Sequence, residues 1–102
     1  MIKVSVKDNK IIITGHACFD EFGKDIVCAS VSSILTTTIN AIVRYDSSSI
    51  EYEQNKQFTI TILKEDKIVK MLIENMLDLF NELEKQYPKN IRRCWLWKNW
   101  CN

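Results

Sequence analysis

Glycine, proline and histidine are scarce in this chain: of 102 residues, only Gly15, Gly23, Pro88 and His16 carry them. A reaction that needs an imidazole base therefore has His16 or nothing. The cysteines Cys18, Cys28, Cys94 and Cys101 include no CxxC pair, which argues against a zinc site or a disulfide framework. The opening MIKVSVKDNKIIITG lacks the basic, apolar and small-residue zones of a secretory signal. No uninterrupted apolar run reaches the length of a membrane span, and the helical segments are read as charged throughout. The expectation is a cytoplasmic chain with reduced thiols, no membrane partner, no metal and no cofactor. Neither sign of charge dominates, with 14 basic against 13 acidic side chains, so no global field draws the protein to nucleic acid. Repeats and low-complexity tracts are also missing.

What is present alternates strand and helix patterns. Ile2, Val4 and Val6 alternate with Lys3, Ser5 and Lys7, and Ile11 to Ile13 resume after Asp8 and Asn9, which predicts an antiparallel hairpin. Residues 17–24 have no clean period and read as a loop. Asp25 is a candidate N-cap for a helix from Ile26 to about Arg44, with Val27, Val31, Ile34, Thr38 and Ile42 on its inner stripe and Ile26, Leu35 and Ile39 widening it. Ile50 to Glu53 and Phe58 to Leu63 suggest a second hairpin. Asp66 is placed to cap a second helix whose inner face is read as Ile68, Leu72, Met76, Leu79, Leu83 and Tyr87, stopped by Pro88. Residues 92–102 form a basic tail rich in tryptophan, the first part of which fits a strand. The order is ββαββαβ, an α+β fold in which a small mixed sheet of about four to five strands packs with two long helices in one domain over 1–102.

The stretch GHACFDEFGKDIVCASVS, from Gly15 to Ser32, concentrates the chemistry. Cys28, expected in the first turn of the helix capped by Asp25, gains from the free N–H groups and the dipole there, which favour a thiolate. His16 is the one group able to take its proton and return it to a leaving amine. Ser32 follows Cys28 by four residues and so shares its helix face, and Asp25 precedes it by one turn. Gly15 and Gly23 bracket the intervening loop, where a hinge needs them. On the residues alone, a buried structural cysteine, a structural histidine and an Asp25 that only caps remain open readings.

The motif GHA followed by DIVCASVS resembles the ribosomal-processing cysteine protease family, Prp. The resemblance runs from MIKVSVK through EKQYPKNI and fades after Ile91. It implies a bacterial, cytosolic, homodimeric cysteine endopeptidase that removes the N-terminal extension of large ribosomal subunit protein twenty-seven. It also implies His16 as catalytic histidine, Cys28 as nucleophile, Asp25 and Ser32 as supporting residues, and the loop with Gly15 and Gly23 as a substrate-gated lid. Cys18 stands where the family usually has glycine, and the RRCWLWKNWCN tail departs from the family ending. The competing class is a non-catalytic ribosome- or RNA-associated module, its tryptophans stacking on bases beside basic residues.

Overall fold

Ile2, Val4 and Val6 are buried while Lys3 and Lys7 face outward, the period of two expected of a strand with one covered side. The computed structural model describes residues 1–15, 22–55 and 57–95, without the side chains of 22–25 and 93–95. Strand β1 (Ile2–Lys7) turns through Asp8, which holds a φ of +54°, into β2 (Lys10–Thr14). A short polar side chain tolerates that left-handed step. Helix α1 (Phe22–Tyr45), strands β3 (Ile50–Gln54) and β4 (Phe58–Ile62), helix α2 (Lys67–Gln86) and strand β5 (Ile91–Trp95) follow. The ββαββαβ order and the α+β class are as the sequence implies.

The five strands form one sheet in the order β3-β4-β2-β1-β5. All pairings are antiparallel except that of β5, which lies parallel to β1 with Ile2 opposite Ile91. That register puts Val4, Ile13, Ile11, Ile60 and Ile91 on one face, where both helices cover them. The tail of the sequence is thus integral to the sheet as far as Trp95.

Helix α2 corrects one expectation. Its buried residues are Val69, Ile73, Met76, Leu77 and Phe80, whereas Ile68 and Leu79 are 43% and 42% exposed. The inner stripe runs one residue further along than expected, because Val69, Ile73, Leu77 and Phe80 form a fuller apolar row at the same helical spacing. Asp66 does cap this helix, accepting from the N–H groups of Ile68 at 2.8 Å and Val69 at 3.2 Å. Tyr87 ends it one residue before Pro88.

Ile26, read as widening the inner stripe of α1, is 54% exposed, and that helix corrects three more expectations. It starts at Phe22, so Asp25 and Gly23 lie in its first turn: Asp25 is not the N-cap and Gly23 is not in the connecting loop. A carboxylate inside the first turn faces the same unpaired N–H groups and dipole that favour it at a cap, and glycine is tolerated near a helix end, so both residues fit the earlier start. The third concerns charge. Between Ile26 and Val43 no charged residue occurs, and Ile26–Tyr45 has a mean hydropathy of 1.8, long and apolar enough by composition to cross a membrane. In the fold its stripe of Val27, Val31, Leu35, Ile39 and Ile42 is buried in the core, while Ser32, Ser33, Thr36, Thr37 and Asn40 are its exposed polar side.

Candidate active site

Two elements carry the site into position: the end of β2 and the beginning of α1. Strand β2 stops at Thr14, paired with Lys3 of β1, and hands over to Gly15 at a φ of +89°. His16, Cys18, Phe19, Asp20 and Glu21 lie outside the described residues, as does the greater part of the expected lid. From Phe22 onward the chain is helical.

Cys28 is half-buried and packs against the hydrophobic core beside fully buried Val27. As the seventh residue of α1 it sits in the second turn, not the first. Its own backbone N–H therefore belongs to the helical ladder, and the unpaired donors at the helix start are those of the residues before it. Ser32 lies one turn after Cys28 and is exposed, so the face that carries the thiol continues outward as a hydroxyl. Ser30 is turned back on the helix, its hydroxyl donating to the Ile26 carbonyl at 2.9 Å. Asp25 shares the start of the same helix as Cys28, and Gly23 precedes it.

Gly15 has no room for a side chain. A Cβ built on it would overlap the carbonyl oxygen of Met1, and would stand 3.0 Å from that carbonyl's carbon and 3.4 Å from Ile2 Cα. Sequence reasoning missed this contact with Met1. The available signal was a glycine between a strand and the sole histidine.

An open groove of about 460 Å³ runs along α2, lined by Lys67, Lys70, Met71, Glu74, Asn75 and Asp78. It contains none of the residues singled out above. Among the described residues no three His, Cys, Asp or Glu side chains gather as a metal site.

The model of the family described as "Cysteine protease Prp" matches residues 1–92. The chain belongs to the cysteine protease Prp family. A ribosomal processing cysteine protease Prp of Staphylococcus aureus is 33% identical over 90 residues, covering 84% of this chain and 85% of its own. Its counterpart in Mycoplasma genitalium is 38% identical over 64 residues, 63% of this chain and 62% of its own length. The crystal structure of the S. aureus protease with a covalently linked product peptide aligns with a TM-score of 0.79 at 27% identity, over 92% of this chain and 96% of that one. Against these findings the non-catalytic binding module gives way to the enzyme.

Proposed function

We propose that this Prp-family cysteine protease removes the N-terminal extension of a large-subunit ribosomal protein, the substrate its family resemblance implies. Cys28 is its nucleophile and His16 its general base and acid. The observation that carries the reading is the placement of Cys28: half-buried on α1, with Ser32 one turn beyond, in a chain matched to the protease family over residues 1–92. The likeness to a protease fold bearing a covalently linked product peptide supports a peptide substrate.

In this reading His16 takes the proton of the Cys28 thiol, and the thiolate adds to the scissile carbonyl carbon. The tetrahedral intermediate collapses to a thioester as the C–N bond breaks and His16 returns the proton to the departing amine. Water then adds to the thioester with His16 again as base, and the C–S bond breaks to free the carboxylate product and the thiol. Backbone donors at the start of α1 are the available oxyanion stabilisers. Asp25 and Ser32 support the site from the same helix. The enzyme works in the bacterial cytoplasm as a homodimer.

A timed digest of peptides spanning the N-terminal extension of such a ribosomal protein tests this, run with the wild type, Cys28→Ala and His16→Ala. Cleavage by the wild type and none by Cys28→Ala is the expected result. Equal cleavage by all three chains would overturn it.

A further inference from the structure

We infer that the free edge of β3 is the docking strand for the peptide substrate, taking an extended segment in which one apolar side chain is flanked by two cationic ones. The inference rests on the protease reading above and names the class of peptide that it cuts. Strand β3 ends the sheet on one side, with β4 as its neighbour. The N–H of Leu63 donates to the Ser49 carbonyl at 2.8 Å, and that of Asn55 to the Gln57 carbonyl at 3.1 Å. Hydrogen-bonded and non-bonded pairs alternate along an antiparallel ladder, so Glu51 and Glu53 also turn their backbone groups toward β4. Those of Ile50, Tyr52 and Gln54 face outward, and among the described residues no backbone group pairs with them. Such a row is a template for an added strand.

Side chains give the edge its selectivity. Tyr52 pairs with Ile60 and so lies on the helix-covered face, yet it is 51% exposed where Ile60 is fully buried. Its ring stacks on that of half-buried Phe58, with 6.2 Å between centroids and 9° between planes, and makes an aromatic shelf at the margin of the core. Glu51 and Glu53 point to the opposite face, exposed and, among the described residues, without an ion pair. A strand laid along β3 places the residue opposite Tyr52 over the shelf and its two neighbours on the carboxylate side. An apolar residue between two basic ones satisfies both faces. The shelf also lies toward the reacting end of the molecule. Phe58 pairs with Ile13, two residues before Gly15, and packs against the same core as Cys28. Helix α1 hands over to β3 at its C-terminal end, so its early turns, Cys28 among them, lie toward the Phe58 end of the hairpin.

An N-methyl scan of the peptide tests the backbone pairing without altering the edge itself. The Cys28→Ala chain, which leaves the peptide intact, is titrated with fluorescein-labelled extension peptides, each N-methylated at one backbone nitrogen, and binding is read by anisotropy. The variants Tyr52→Ser and the double Glu51→Gln, Glu53→Gln keep Cys28. They are assayed for kcat and KM on the unmodified peptide and on one with norleucine in place of every lysine and arginine.

N-methylation should weaken binding on the order of tenfold at every second nitrogen over a short segment and little at those between, because alternate N–H groups face β3. Tyr52→Ser should raise KM about fivefold with kcat little changed, through loss of the shelf. The double carboxylate variant should raise KM about fivefold for the unmodified peptide and leave that for the norleucine peptide as it was. A flat scan, or losses without the period of two, would overturn the docking strand. So would a carboxylate variant that self-associates at unchanged KM, the behaviour of charges that only guard an edge. Should the wild type and Cys28→Ala cleave equally, the nucleophile reading fails, and the KM series still decides the edge. A wild type that cleaves, a Cys28→Ala chain that does not, and a flat scan defeat only the docking strand.

Discussion

The hydroxyl of Tyr45, the last residue of α1, donates to Asp66 Oδ2 at 2.8 Å, while the other oxygen of that carboxylate caps α2. One side chain thus ties the end of the first helix to the start of the second. Asp66→Ala should lower the Tm by about 5 °C, since it removes the cap and the tie together. Tyr45→Phe, which removes only the tie, should cost less. Thermal melts of the two variants check the order, and a larger loss from Tyr45→Phe would contradict it.

The same carboxylate sets a pH dependence. The hydrogen bond from Tyr45, then those from the backbone of α2, hold Asp66 below the usual carboxylate range. Hydrogen bonds from Ser48 do the same for Asp46. A carboxyl with a depressed folded pKa contributes stability that is present above its unfolded pKa and lost as pH falls through the folded value. Melting temperature should accordingly decline on acidification below the ordinary carboxylate range, and the decline should be shallower in an Asp46→Ala, Asp66→Ala double variant. Parallel acid profiles for the two proteins would contradict the assignment.

Ile42 is fully buried on α1 and shares the core with Ile60 and Phe80. Ile42→Ala should destabilise the fold by about 2–5 kcal/mol through lost burial and the cavity left behind. Urea unfolding measures this. Because Ile42 stands nearly four turns beyond Cys28 along the helix, the folded fraction should retain its kcat.

How much of this was legible in the sequence differs by element. The hairpins were readable because Ile2, Val4 and Val6 alternate strictly, and Asp66 was readable as a cap because a short carboxylate precedes a strongly periodic run. The inner face of α2 was not. Its apolar residues make up half of the helix, so spacing alone left Ile68 and Val69 equally eligible, and the sheet decided between them. Asp25 misled for a related reason: an acidic residue suits both a cap and a first turn, and its type does not say which. The contact between Gly15 and Met1 joins the chain's start to the end of its second strand, and no local pattern records it. His16 and Cys28 are proposed from the motif, a signal that needs no geometry.

Ser32 is exposed, so Ser32→Ala should leave stability within about 0.5 kcal/mol of the wild type. If it supports the reacting groups from the turn after Cys28, the variant should lose about tenfold in kcat. Peptide cleavage beside a thermal melt separates the two effects. Unchanged kcat would reduce Ser32 to a surface hydroxyl.

Covalent trapping tests the central claim most directly. The protein is incubated with an extension peptide ending in a chloromethyl ketone at the scissile position, and the adduct is located by tandem mass spectrometry. The account predicts a single peptide adduct on Cys28, slowed in His16→Ala and absent in Cys28→Ala. An adduct distributed over Cys18, Cys94 and Cys101 with Cys28 unmodified would contradict it.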